Sequence, residues 1–334
     1  MATSTATEPA PGSTGPVAHH FNNMGQQLAT VRFGMWLFLV TEVLFFGGAF
    51  CAYTVYRVWF PKDFEAGSAA LNVGIASVNT FLLLTSSLTI TLAIRSAWLG
   101  SKKALFNYLL LTTVLGTAFL GLKAREYYLD YEEGLIPGNS RLTSDAKREV
   151  DKERAKLYTE AEAIKAALVL NRAAANDATK TDAERTFAAI AVADKERQLL
   201  HTLAIAGEAP NAFNENLKVA LHHADFKGVA GKDYDPSRVQ LFFMFYYSMT
   251  GLHVLHMIVG LGLLVWQLAL VKMGFFDYTA RYVYIETMSL YWHFVDMVWM
   301  FLLPLLYLCG PHTASQAVSQ FKEAIGLATG SGTH

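Results

Sequence analysis

At 334 residues the chain has the length of two soluble domains, but 53% of it is hydrophobic and only 16% charged, against about a quarter charged in an ordinary globular protein. A net charge of −1 gives no basic field for nucleic acid. The two cysteines, Cys51 and Cys309, lie in apolar runs, which excludes a disulfide scaffold, a zinc ribbon and a CxxC redox site. Of the 27 basic and 28 acidic residues, 33 fall between Glu132 and Pro236, so the chain reads as an apolar protein with one polar insert.

Residues 1–31 are polar, open on a Pro/Ser/Thr/Gly-rich stretch and lack the short apolar core of a secretory signal; they read as a flexible N-terminal tail. Five apolar stretches follow. A hydrocarbon core of about 30 Å needs roughly 20 apolar helical residues, and in lipid each segment must satisfy its own backbone, so all five are expected to be spanning helices. The first, 33–56, carries one charge, Glu42, near its middle. Pro61 and Gly67 break the chain before the second, 71–94, which has none. Gly100 and Ser101 precede the third, 104–122, which continues as a polar extension through Lys123, Arg125 and Glu126. These three spans make up residues 32–131.

Residues 132–237 form the charged, mostly helical extramembrane insert. Residues 144–175 are rich in Ala, Lys, Arg and Glu; Thr181-Asp-Ala-Glu184 has the form of a capping box opening a second helix to about residue 203. With a turn at 171–181 this predicts a helical hairpin, followed by a short amphipathic segment, 212–222, and a Gly/Asp loop ending at Pro236. The insert reads either as a solvated hairpin without chemistry or as a docking surface for a neighbouring subunit or an electron carrier; its mixed charges form no single-sign patch.

The last two spans occupy 238–310. The fourth, 239–271, has no charge; the fifth, 282–308, holds Glu286 near its start, Asp296 near its middle and Pro304, which predicts a kink. Residues 311–334 are a C-terminal tail. Trp59, Tyr127, Tyr128, Tyr131 and Tyr246 fall near span ends, as an aromatic belt would place them. Arg32, Arg95, Lys102, Lys103, Lys272 and Arg281 lie on one side, against Arg57, Lys62 and Lys322 on the other. This bias predicts a cytoplasmic N-terminus, with the insert and C-terminus on the outer face.

Ionisable groups inside a membrane are costly and therefore functional candidates. Glu42 could relay a proton or hydrogen-bond a neighbouring helix. His253 and His256 share a face, as do His293 and Asp296. Haem ligation would need one histidine from each of two facing helices and small residues beside them. Gly251 and Gly260 are near, but close helix packing needs the same glycines. Neither metal nor catalytic residues are expected in this chain, and His293 with Asp296 reads as a charge-assisted hydrogen bond fixing the fifth span or as a contact to a partner helix. Glu42, His256 and Asp296 fall near the midpoints of their spans, so a network at one depth is conceivable. His19-His20 and His222-His223 are isolated pairs on polar segments, and the hydroxyl-rich run 85–91 reads as a packing face. There is no phosphate-binding glycine loop and no nucleophile elbow.

The motifs on the five spans resemble one family. Gly34-Met-Trp-Leu-Phe-Leu-Val-Thr-Glu-Val-Leu-Phe-Phe46 on the first span resembles the signature of haem–copper oxidase subunit III, as does Asn79-Thr-Phe-Leu-Leu-Leu-Thr-Ser-Ser87 on the second. So do Leu115-Gly-Thr-Ala-Phe119 and Lys123-Ala-Arg-Glu-Tyr127 on the third, Thr250-Gly-Leu-His-Val-Leu-His256 on the fourth and Tyr291-Trp-His-Phe-Val-Asp-Met-Val-Trp299 on the fifth. The chain looks like the bacterial five-helix form of cytochrome c oxidase subunit III, which lacks two further N-terminal helices of longer members. The resemblance implies an all-α polytopic bundle in the bacterial inner membrane. It implies a companion without haem or copper, which packs with oxidase subunits I and II and with membrane lipid. That companion sustains proton uptake and protects the complex during turnover. By resemblance the family's buried polar positions are Glu42, Asn79, Glu126, His253, His256, Glu286, His293 and Asp296. The insert departs from the family, whose connection there is much shorter; a contact through it to cytochrome c or another respiratory complex is one reading. Rival readings are a nitric oxide reductase accessory protein, a quinol oxidase subunit and a membrane scaffold outside the oxidases.

Overall fold

The structure, a computed structural model, describes residues 21, 23–138, 141–177, 179, 181–223, 234–275 and 283–309. Most of the predicted N-terminal tail with His19-His20, the Gly/Asp loop, Arg281 and the C-terminal tail with Lys322 lie outside the described residues. Every regular element among the described residues is helical: α1 Met24–Trp59, α2 Pro61–Ala69, α3 Val73–Trp98, α4 Lys102–Glu132, α5 Ser144–Ala175, α6 Asp182–Gly207, α7 Ala212–His223, α8 Pro236–Lys272 and α9 Val283–Leu302, followed by a π-helical turn, Leu303–Tyr307. The chain divides into two compact units, one of Met1–Leu129 with Ala224–His334 and one of Asp130–His223.

In the first unit α1, α3, α4, α8 and α9 are long and apolar enough to cross a membrane. Their starts follow from side-chain caps, because the first N–H groups of a helix have no partner inside it. The Asn23 side chain accepts from the Gln26 N–H at 2.8 Å, so α1 begins at Met24, ahead of its apolar run at Phe33. Asn72 does the same for Ile75 at 3.1 Å, opening α3. Asp235 caps α8, whose first residue, Pro236, loses nothing by lacking an N–H.

The expected break at Pro61 and Gly67 is a short helix instead. Pro61 opens α2, and Gly67 is a packing site: a Cβ there would lie 2.3 Å from Phe242 Cδ1. α9 is the hub, packing on α8, α3 and α1. Its Trp292 and Trp299 are fully buried. Gly116 on α4 and Gly260 on α8 make room for Trp292, with Cβ positions that would come within 2.6 Å and 3.2 Å of its ring. The indole N–H of Trp292 donates to Ser86 at 3.1 Å and that of Trp299 to Thr80 at 3.0 Å, tying α9 to α3. Ser86 and Thr89 of the hydroxyl-rich run are buried, Thr89 meeting Thr112 of α4 at 2.7 Å, while Thr85 is half-buried and Thr91 exposed. At Pro304, which lacks the N–H to continue the ladder, the helix widens into the π turn.

In the second unit α5 and α6 form the hairpin and α7 packs on α5. Thr181 and Glu184 make the capping box, each side chain bonding the other's backbone. Buried Asn216 closes the unit's entry loop. It accepts the Thr143 N–H at 2.9 Å and donates to the carbonyls of Arg141 at 2.8 Å and Gly134 at 3.4 Å. Gly134 has φ +69°, and a Cβ there would meet Asn216 Nδ2 at 2.0 Å, so glycine is required twice over.

Gly116→Val should drive a side chain into Trp292 and cost about 1–3 kcal/mol by overpacking, read as a lower thermal midpoint of the purified protein in detergent. Gly121→Val, where a Cβ would meet nothing within 4 Å, should leave the midpoint unchanged.

Candidate functional site

Among the described residues of the membrane unit, four clusters of polar groups involve the spanning helices' candidate positions. The first joins α1 to α8. His256 Nε2 lies 3.1 Å from Glu42 Oε2, and its Nδ1 lies 2.8 Å from the Leu252 carbonyl, one turn back on its own helix. A carbonyl only accepts, so Nδ1 carries hydrogen. The contact between Nε2 and Oε2 then requires one more proton, held either by the imidazole or by the carboxyl. Glu42 and His256 are thus joined by a hydrogen bond between the two helices. Both side chains are four-fifths buried or more. Phe46 meets the imidazole edge-on at 5.3 Å, and Tyr291 of α9 donates to the His256 carbonyl at 3.0 Å. Asp296, expected at the same depth, does not join the pair.

The second place is a clamp at one end of the bundle. Glu286 of α9 pairs with Arg32 of α1 at 3.0 Å and accepts the Trp98 indole N–H of α3 at 3.1 Å. Arg32 is more than half exposed, so this pair contributes little by itself; what it does is tie three spans together.

The third place lies between α3 and α9. His293 and Asp296 share a face of α9, but they do not bond each other. His293 Nδ1 meets the Ser87 hydroxyl at 2.9 Å and Nε2 the Thr91 hydroxyl at 3.4 Å. The Ser87 hydroxyl also faces the Asp296 carboxyl. The pattern i, i+3 put both residues on one side of a helix, and hydroxyls of the neighbouring helix took the bond expected between them.

The fourth place was legible only in part: Glu126 is one of the buried polar positions the resemblance implies, but its partners on α8 and beyond α9 were not. Lys123 and Glu126 of α4 are an ion pair at 3.1 Å with side chains only 1% and 3% exposed. The ammonium also donates to the hydroxyls of Tyr307 at 2.8 Å and Tyr246 at 3.4 Å, using all three of its hydrogens. Both hydroxyls donate onward to Glu126 Oε1, at 2.6 Å and 3.0 Å. The rings of Tyr127, Tyr246, Trp299 and Tyr307 surround the ammonium at 5.1–5.5 Å, within cation–π range. Read from sequence, Lys123 and Glu126 form a polar helix extension and Tyr246 belongs to an interfacial belt. In the structure Tyr246 is fully buried, whereas Trp59, Tyr128 and Tyr131 are exposed. The available signal was the Lys-x-x-Glu spacing at the end of an apolar run, which puts opposite charges on one helix face.

The remaining positions are solitary. His253 and Asn79 are fully buried, and neither ring nitrogen nor either amide atom has a hydrogen-bond partner among the described residues. Among the described residues no three His, Cys, Asp or Glu side chains gather to hold a metal. The histidines also do not fit haem ligation: His256 and His293 have their nitrogens engaged, and His253 is enclosed by Phe119 and Trp299, with ring centroids 5.6 Å and 5.3 Å away.

Against known proteins, the family model described as cytochrome c oxidase subunit III matches residues 17–131 and 204–311. It takes in all five spans and leaves α5 and nearly all of α6 unmatched. Subunit 3 of the cytochrome bo(3) ubiquinol oxidase of Pseudomonas aeruginosa is 31% identical over 128 residues, 38% of this chain and 61% of that protein. Cytochrome c oxidase subunit 3 of Xenopus laevis is 37% identical over 106 residues, 29% of this chain and 40% of the relative. That of Mammuthus primigenius is 39% identical over the same length. The matched stretches therefore span less than two thirds of these curated relatives.

Lys123→Met should leave the Glu126 carboxylate buried and uncompensated, a loss of about 3–5 kcal/mol visible as a lower melting temperature in detergent. Lys123→Met combined with Glu126→Leu removes both charges and should recover most of that loss; additive losses would show that the two residues act separately.

Proposed function

Because the chain belongs to the cytochrome c oxidase subunit III family, we propose that it is a membrane companion subunit of a haem–copper terminal oxidase, supporting proton uptake and the stability of the working complex. The haem and copper that reduce oxygen belong, in this reading, to subunits I and II, and this chain contributes no redox centre. Its place is the inner membrane of a bacterium. The Lys/Arg bias of the short loops favours a cytoplasmic N-terminus.

The observation that carries the proton-handling part is the Glu42–His256 pair. It joins α1 to α8 by a contact of 3.1 Å near the midpoints of both helices. Transfer between the two groups leaves the net charge unchanged, and exchange with a third group stays neutral only where one proton arrives as another leaves. The rest of the bundle serves to place it. α9 sits against both α1 and α8, and Tyr291 of α9 bonds the backbone of His256 itself.

The electron donor is cytochrome c or quinol. The relatives include subunits of both kinds; the motifs of the five spans do not separate them, and we favour cytochrome c because the matching family model is described as cytochrome c oxidase subunit III. A redox difference spectrum of the complex extracted in mild detergent tests the reading. An a-type haem with copper supports a cytochrome c oxidase; b- and o-type haems with copper transfer the chain to a quinol oxidase. Haem b without copper would point to a nitric oxide reductase accessory protein, and an intact preparation free of haem would overturn the oxidase reading.

Glu42→Gln tests the pair. The amide can still donate to His256 Nε2, so the helix contact survives, but the ionisable carboxyl is gone. The expected result is normal assembly with activity lost sooner over repeated turnovers. Initial rate and inactivation both equal to wild type would remove Glu42 from proton handling.

A further inference from the structure

The insert bears an apolar face that no described residue covers. The buried residues of α5, Ala146, Val150, Ala161 and Leu168, fall on one stripe, as do Thr202 and Ala206 of α6. Along these stripes the two helices meet. Continued in steps of three and four residues, the coiled-coil spacing, the seam passes Asn171 on α5 and Ala188 and Lys195 on α6. Arg172 and Glu196 each follow a seam position by one residue, and they form an ion pair across the hairpin. Positions one past the seam therefore share one side of the hairpin, and positions one before it share the other.

That other side is apolar toward the turn. Leu170 and Phe187 each precede a seam position by one residue, and they are 71% and 74% exposed. The helical spacing adds Ala163, Ala166 and Ala173 on α5 and Ile190 on α6, all exposed as well. None of the six carries a charge. Elsewhere α5 is dressed with exposed ion pairs three residues apart, Asp145–Arg148, Glu149–Lys152 and Glu162–Lys165. A contiguous apolar face on a polar insert marks an interaction site. A helix pair alone leaves such a face open, whereas a second pair closes it into a four-helix bundle.

We infer that this face binds the same face of a second copy of the chain, the two hairpins closing into a four-helix bundle. Three observations select that occupant. The face has no charge, so two identical faces meet without like-charge repulsion, as a two-fold symmetric contact requires. An electron carrier is steered to its site by opposite charge, and these six residues offer none. The family model passes over α5 and nearly all of α6. A partner shared by the whole family has no hairpin to meet, whereas a second copy brings the matching face with it. Two copies inserted with one topology also carry their inserts on the same side of the membrane. The contact does not depend on the oxidase reading.

The test counts copies of this chain in the particle extracted in mild detergent with whatever subunits accompany it, by native mass spectrometry. Two copies are expected. Phe187→Glu and Leu170→Glu each place a charge at an exposed position and should return one copy, a twofold loss, with helix content by circular dichroism unchanged. One copy in the wild-type particle would overturn the contact, as would two copies that both charged variants leave together. Cross-linking in intact membranes identifies the occupant. Under mild oxidation Leu170→Cys should join two copies of the chain. Ala193→Cys, exposed one past the seam on the opposite side, should not; both variants retain Cys51 and Cys309, so the difference reads the face alone. A cross-link from Leu170→Cys to a different subunit or to an electron carrier would overturn the second copy as occupant. Full labelling of that cysteine by a maleimide, with no cross-link, would show a bare hairpin and overturn the contact.

Discussion

Hydrocarbon has no hydrogen bonds to give. A polar atom that reaches the interior of a spanning bundle must therefore find its partner on another helix, and that requirement determines how these five spans meet. Trp292 and Trp299 bury the largest apolar surfaces in the unit, yet what sets their register against α3 is where two indole N–H groups find Ser86 and Thr80. Thr89 and Thr112 do the same between α3 and α4. The glycines at 116 and 260 then become a consequence: once the indole of Trp292 is pinned, the backbones facing it have no room for a side chain.

The same requirement separates the two charged sites. The Lys123–Glu126 pair is enclosed on every side by aromatic rings and hydroxyls, with every ammonium hydrogen assigned. Such an arrangement favours one structure over its alternatives and offers little freedom for exchange. The Glu42–His256 pair is looser. It has one hydrogen bond between the helices, one backbone anchor and some remaining exposure, and it joins α1, the span with the least buried surface, to the interior. The lock at one end of α4 is thus fully enclosed, whereas the link on α1 keeps some exposure.

Much of this architecture was legible in the sequence, because a membrane leaves few solutions to long apolar runs. The five spans, a break in the regular helix at Pro304 and the capping box at Thr181 all follow from local pattern. What was not legible depends on which helices are neighbours. The spacing of His293 and Asp296 put them on one face, but only the position of α3 explains why they turn to Ser87 and Thr91. Tyr246 carries the composition of an interfacial residue, and the burial that makes it a ligand of Lys123 comes from Tyr307, 61 positions away. Gly67 reads as a breaker in one dimension; against Phe242 it is the only residue that fits.

The π turn over Leu303–Tyr307 has a consequence for how the chain end can change. A turn of this kind accommodates one more residue than the α-helix around it, so it acts as a local insertion that has been absorbed without a loop. Tyr307, whose hydroxyl reaches Glu126 and Lys123, is the last residue of this turn, so its direction depends on the turn's length. The hydroxyl of Tyr53, donating to the Leu305 carbonyl, holds one of the acceptors that the widened turn releases. The length of this short stretch is therefore as constrained as its composition. A one-residue deletion there would restore a regular helix and, by restoring it, present a different face to the lock.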